Sequence, residues 1–168
     1  MIIRLLQPGD CRAAEALTRS APGAARWPLA EYERVARGQA GESGQAASAS
    51  FCLVAESDRD APAGEARAAP AGEMAGLLAA SRAGDEGEIQ NLVVTEARRR
   101  RGIAEALLKE AIGRLKAAGV RTVWLEVRES NVAAIRFYEK HGFRLAGRRR
   151  GYYQEPPEDA LLYSRPAD

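Results

Sequence analysis

The sequence predicts a mixed α/β fold in a single domain. Three features point to it. Short apolar runs of strand character alternate with stretches whose apolar residues recur every three to four positions. Residues 88–128 read as strand, helix, strand, the form of a right-handed parallel crossover. The 168 residues, 46% of them hydrophobic, suffice for one full core and not for two, and no repeat or internal boundary divides them.

The elements follow in order. Residues 2–6 form a β-type run broken by Gln7-Pro8-Gly9, and Asp10 stands where a helix N-cap belongs. Residues 11–20 are helical, with Cys11, Ala14, Leu17 and Thr18 at 3–4 spacing; Pro22-Gly23 ends them. A second helix covers 29–37. Trp27, just before it, is either core or the wall of a binding groove, since connections often carry function. Residues 38–50 are expected to be a flexible loop and 51–56 a strand. Residues 57–73, biased to Ala, Pro and Gly, are expected to be a mobile hairpin loop. Residues 74–81 make a strand in which Gly76 either weakens pairing or marks a close backbone approach. Residues 84–87 turn, and 88–95 form the next strand.

Residues 102–118 are the clearest helix, with Ile103, Ala106, Leu107, Ala111 and Leu115 on one stripe and Gly119 as its C-terminal stop. In the strand at 121–128, Val123, Leu125 and Val127 alternate with Thr122, Trp124 and Glu126. Ser130 or Asn131 caps a helix reaching about His141, and Gly142 closes it. A strand at 143–149, a loop at 151–157 and a last strand at 158–164 complete the chain.

Composition narrows the function classes. A formal charge of +2 does not make the whole molecule a polyanion binder, although arginines concentrate at 98–101 and 148–150. Cys11 and Cys52 have no metal-ligand spacing and His141 is the sole histidine, so no metal site is expected and a Ser-His-Asp triad is nearly excluded. The N-terminal stretch lacks the apolar core of a signal peptide, and no apolar run reaches the roughly 18 residues of a membrane span. A cytoplasmic protein that does not engage membranes is expected.

The most informative stretch is 88–108. A strand containing Leu92, Val93 and Val94 is followed by Arg98-Arg99-Arg100-Arg101, then Gly102, then a helix start. Helix N-termini carry unpaired N–H groups and partial positive charge, so this is a place to hold phosphates. Gly102 can take a backbone conformation closed to other residues, and Ala104 leaves room beside a ligand. Amides of residues 100–105 would surround a pyrophosphate, each charge-assisted contact worth ~1.5–3 kcal/mol. The loop matches neither the P-loop nor the dinucleotide Gly-x-Gly-x-x-Gly pattern. A solvated arginine loop would look the same by itself.

This run, with its Arg99-x-x-Gly102-x-Ala104 loop, resembles the signature region of the GNAT N-acetyltransferases. The resemblance implies a mostly antiparallel twisted sheet with a central parallel strand pair flanked by helices. It implies acetyl-CoA as acetyl donor, its pyrophosphate held by residues 99–105 (Arg99, Arg100, Arg101, Gly102, Ile103, Ala104 and Glu105) and its pantetheine arm paired along Leu92, Val93 and Val94.

A second constellation lies at 124–143. Asn131 and Tyr138 are seven apart, which puts them on one helix face, and Glu126 lies near the end of the preceding strand. A carboxylate, an amide and a phenol are thus expected to line one cleft. The run resembles the RimI-like branch of the superfamily, which acetylates protein N-termini. By that resemblance Glu126 is the general base, directly or through water, Tyr138 the general acid for the departing thiolate, and Asn131 a cofactor contact. The chemistry suits the residue types. An α-amine titrates near ~7.7–8 and needs only modest base assistance. A phenol within reach can protonate a departing thiolate. An N–H near Val93 or Val94 would receive the developing oxyanion.

A third run, Arg148-Arg149-Arg150-Gly151-Tyr152-Tyr153 followed by Glu158-Asp159-Ala160, resembles the tail of the same branch, with Gly151 where that branch often has Asn. Tyr152 and Tyr153 would wall a peptide groove opposite Trp27, or else pack as ordinary sheet residues. The leading expectation is transfer of acetyl to a protein N-terminus, ribosomal by resemblance. A small amine, such as an antibiotic or polyamine, is the enzymatic alternative. A binding module holding acetyl-CoA or RNA is the other, but two short arginine clusters without interleaved aromatics argue against direct nucleic-acid binding.

Overall fold

The computed structural model describes residues 1–41, 48–57 and 73–168. Its strands are β1 (Ile2–Leu5), β2 (Ser48–Ser57), β3 (Glu73–Ala83), β4 (Glu86–Val94), β5 (Thr122–Arg128), β6 (Arg144–Gln154) and β7 (Pro157–Pro166). Its helices are α1 (Cys11–Ser20), α2 (Leu29–Gly41), α3 (Ile103–Ala117) and α4 (Val132–Lys140). The seven strands form one sheet in the order β1-β2-β3-β4-β5-β7-β6. Every neighbouring pair is antiparallel except β4–β5, which is parallel and joined through α3. This is the mostly antiparallel sheet with a central parallel pair that the family resemblance implied.

Strand alternation sends side chains to two cores. On one face Leu53, Leu78, Ala80, Ile89, Val123 and Leu125 pack with Leu107, Leu108, Ala111 and Leu115 of α3 and Tyr138 of α4. On the other, Cys52, Val54, Leu77 and Ala79 pack with Cys11, Ala14, Tyr32 and Val35 of α1 and α2. Both cysteines are buried thiols, and burial pushes the Cys52 thiol up to about 12. They are core residues.

Gly76 marks a close approach. A Cβ there would lie 3.0 Å from the Val93 carbonyl oxygen and 3.1 Å from Ile103 Cγ2. Backbone cannot yield as a flexible side chain does, so Gly76→Ala is expected to destabilise the fold by about 1–3 kcal/mol. Urea denaturation measures it.

Several boundaries differ from the sequence reading, each for a tertiary reason. Asp10 does not cap α1 with its side chain. Its carboxylate instead accepts from Arg4 Nη1 at 2.6 Å and from the Gln7 N–H at 2.7 Å. Burial opposes its ionisation, but those bonds prevail and hold it below the ordinary carboxyl value. The expected loop at 38–50 is helix up to Gly41 and strand from Ser48, because β2 pairs with β3 as far as Ser48↔Ala83. Residues 42–47, and 58–72 of the expected mobile loop, lie outside the described residues. Gly87 belongs to β4 rather than to the turn, pressed against Leu115 and Val120. The expected loop at 151–157 is mostly strand. Gly151, at φ +58, makes a bulge whose N–H donates to Asp159 Oδ1 at 2.8 Å, and pairing resumes at Tyr153↔Glu158.

Candidate active site

β4 and β5 run side by side and then part. Their pairing extends from Glu86↔Thr122 to Ile89↔Leu125. Beyond it β4 continues to Val94 against β3, and β5 to Arg128 against β7. The sheet therefore opens as a fork in its middle. A bulge sits at the branch: Asn91 faces Ala79 and Ile89 faces Ala80, leaving Gln90 as the extra residue. A bulge bends its strand, and here it does so where the strands separate.

The polarity of the β4 edge follows from its ladder. Thr95 donates its N–H to the Ala75 carbonyl at 2.9 Å. Successive residues of an antiparallel strand turn their N–H and C=O to opposite sides, so Val93 also serves β3, while Leu92 and Val94 face the fork. The Val93 carbonyl indeed lies over Gly76, and Arg99 Nε approaches the Val94 carbonyl at 3.4 Å from the other side. Of the two expected oxyanion donors, Val94 presents its N–H to the fork; that of Val93 is used within the sheet.

After β4 the chain makes a 3-10 turn over Glu96–Arg98 and enters α3 through two left-handed residues, Arg100 at φ 59 and Gly102 at φ 79. Arg100 is the one non-glycine residue with positive φ among the described residues, and such strain is characteristic of ligand-holding turns. The first main-chain bond of the helix is from Ala106 N–H to the Gly102 carbonyl, at 3.0 Å. The N–H groups of residues 100–105 donate to no described residue. They form a concave row of donors at a helix N-terminus, suited to a phosphate or pyrophosphate. Ile103 contributes only its N–H, because its side chain is core. The same holds for Glu105, whose carboxylate pairs with Lys109 at 2.7 Å. The side chains of Arg99, Arg100 and Arg101 are exposed, and Ala104 is half-buried.

Glu126 and Tyr138 come from opposite faces of β5. Val123, Leu125 and Val127 point into the α3 core, so Trp124, Glu126 and Arg128 point the other way. Tyr138 lies inside that core, 9% exposed, with its ring 5.6 Å from that of Phe143. The expected single cleft is thus a passage: a ligand touching both groups must lie in the fork. Burial, and then the neighbouring Tyr153 phenol, push the Tyr138 pKa well above the ordinary tyrosine value. Asn131 does not share a helix face with Tyr138. It is the N-cap of α4, and its Oδ1 accepts from the Ala134 N–H at 3.1 Å, satisfying a helix-end donor.

On the Glu126 side a cavity of about 400 Å³ is lined by Glu86, Glu88, Trp124, Glu126, Arg149 and Leu162, among others. Arg149 Nη1 lies 3.0 Å from Glu126 Oε1. Hydrogen bonding to the Glu126 carboxylate raises the Tyr152 pKa, with burial adding to it. Tyr153 sits under the Arg128 guanidinium, 4.0 Å from its ring centroid. Arg128 also reaches Glu158 at 3.1 Å and the Glu155 carbonyl at 3.0 Å, which braces the β6–β7 hairpin against β5. Trp27 does not line this cavity. Its ring centroid is 5.5 Å from that of Tyr32, and it borders a separate concavity with Glu15, Arg19 and Arg26. The loop that carries Trp27 does touch β4, through Asn91 Nδ2 donating to the Ala25 carbonyl at 2.8 Å.

The sequence reading missed Arg149, Arg128 and Gln90. The first two act through partners distant in sequence. Gln90 leaves no sign of its own, as one of several polar residues in β4 and next to Asn91. No group of three or more His, Cys, Asp or Glu able to hold a metal occurs among the described residues. No helix among them is long and apolar enough to cross a membrane.

A central parallel pair that forks, with an open strand edge and a donor-lined helix entry beside it, defines the acetyltransferase (GNAT) class. Residues 14–143 match the Acetyltransferase (GNAT) family, and the chain belongs to it. The [ribosomal protein bS18]-alanine N-acetyltransferase of Escherichia coli K12 is 41% identical over 97 residues, 56% of this chain and 66% of that protein. The aligned region thus spans just under two thirds of that relative's length. An N-alpha-acetyltransferase of Saccharolobus solfataricus is 39% identical over 82 residues, 48% of each chain. Among solved structures, the E. coli ribosomal-protein-S18-alanine N-acetyltransferase superposes with a TM-score of 0.73 at 29% identity, covering 99% of this chain and 94% of that one. Arabidopsis thaliana NAA60 in complex with a bisubstrate analogue gives 0.78 at 26% identity, covering 98% and 97%.

Proposed function

We propose that the protein transfers acetyl from acetyl-CoA to the N-terminal amine of a protein, with the alanine terminus of ribosomal protein bS18 as the leading acceptor. The fork between β4 and β5 carries the proposal. It offers the edge of Leu92 and Val94, which no neighbouring strand pairs, to an amide-bearing arm and the N–H row of residues 100–105 to a pyrophosphate. The similarity to the E. coli enzyme supports the choice of acceptor.

Acetyl-CoA supplies an activated acetyl thioester. The protein's own groups do the rest. Glu126 accepts a proton from the attacking amine, and the Val94 N–H receives the negative charge that develops on the carbonyl oxygen. Tyr138 donates its proton to the sulfur as the C–S bond breaks, so the products are an amide and a free thiol. Burial keeps that phenol protonated and ready to donate. The acceptor amine displaces the Arg149 guanidinium from Glu126, and Tyr152 and Tyr153 wall the acceptor side. Trp27 contributes at most through the loop it anchors. Incubation with acetyl-CoA and a panel of acceptors, followed by free-thiol detection, tests this. Thiol release with an N-terminal alanine peptide and not with its blocked form is expected. Release only with polyamines or antibiotic amines, or with none of the panel, overturns it.

A further inference from the structure

We infer that Gln90 binds the acceptor amine beside Glu126, a role that rests on the acetyl-transfer reading above. Gln90 Oε1 is buried with no hydrogen-bond partner, the one such side-chain oxygen or nitrogen among the described residues. Native folds seldom leave a buried acceptor unmet, and an exception calls for an explanation.

Its position supplies one. Gln90 is the extra residue of the β4 bulge, unpaired between Ala80↔Ile89 and Ala79↔Asn91. Ile89 is in the α3 core, so strand alternation turns its neighbours Glu88 and Gln90 to the other face. Glu88 pairs with Trp124, and both line the cavity. Two residues further along each strand come Gln90 and Glu126, the first positions past the last pair, Ile89↔Leu125. An amide oxygen and a carboxylate thus flank the mouth of the fork. Both only accept. Two neighbouring donors are engaged elsewhere: the Asn91 amide with the Ala25 carbonyl, and Arg128 with Glu158.

A primary amine is the group that satisfies both oxygens, because it brings two N–H bonds in its neutral form. Glu126 takes one proton. Gln90 Oε1 holds the other N–H and so aims the nitrogen lone pair into the fork. A secondary amine has a single N–H and cannot meet both.

The test compares wild-type enzyme and Gln90→Leu on an N-terminal alanine peptide and on the same peptide with N-methylalanine. Wild type is expected to prefer the primary amine by about tenfold in kcat/KM, the worth of one oriented hydrogen bond. Q90L is expected to lose about tenfold on the primary amine and to bring the ratio near one. Its acetyl-CoA affinity should be unchanged, and its urea midpoint equal or higher, because the unmet acceptor is gone. A residue with only a packing role would lower both substrates together and leave the ratio intact. A wild-type ratio and wild-type kcat/KM in Q90L would overturn the inference while leaving acetyl transfer standing. Absence of any acetylation by wild type would instead overturn the acetyl-transfer reading, and this inference with it. If Q90L does not fold, the same ratio in Gln90→Met decides the matter.

Discussion

Tyr138→Phe is expected to leave acetyl-CoA affinity intact and to lower kcat by about 10²–10⁴. Phenylalanine fills the same space among Phe137 and Phe143, so the core should hold and the effect should be chemical. What would be lost is the proton that the proposed mechanism assigns to the sulfur. Because the phenol titrates well above the ordinary value, wild-type rate should not fall from its ionisation through neutral and mildly alkaline pH. Single-turnover rates together with equilibrium binding of acetyl-CoA separate the two effects. Normal turnover by the variant would remove Tyr138 from the chemistry.

Glu126→Gln should be nearly as damaging, but with a pH signature. An α-amine titrates near ~7.7–8. Below that range the acceptor is mostly ammonium and needs a base; above it the neutral amine is already present. The deficit in kcat/KM is therefore expected to be largest near pH 6–7, at about 10²-fold or more, and to shrink as pH rises past 8. Stability should barely change. Glu126 loses an ion pair with Arg149, but that side chain is 56% exposed, and solvent-screened pairs are worth little. A wild-type to variant ratio that stays constant across pH would assign the proton to solvent water.

Much of the fold was legible because it depends on local rules. The α3 stripe, the Gly119 stop and the alternation of Val123, Leu125 and Val127 are periodic signals, and the structure repeats them. The donor row after β4 was legible for the same reason: a glycine before a helix start announces its own geometry. What escaped depended on the other strand. Nothing near Asp10 says that Arg4 will claim its carboxylate. The bulge at Gly151 exists because Asp159 of the neighbouring strand accepts its N–H. Spacing placed Asn131 with Tyr138, but capping took Asn131 off the helix face. Counting along the chain brought Glu126 and Tyr138 near each other, yet could not show that a strand stands between them. The sheet had to be assembled before the passage through it could be seen.

The short pairing of β4 with β5 has a mechanical consequence. Strands β1–β4 form one leaf of the sheet and β5–β7 another, and the two share a spine that ends at Ile89 and Leu125. Past that point no ladder sets the angle between the leaves; side-chain filling from α3 and α4 does. The amides of Leu92 and Val94 are therefore labile in the middle of a core sheet, open to hydrogen exchange without global unfolding. A molecule laid along them would act as a missing strand and lock the leaves together. Donor binding along this edge would then be a load-sharing event that stiffens the whole sheet, as well as the delivery of a reagent.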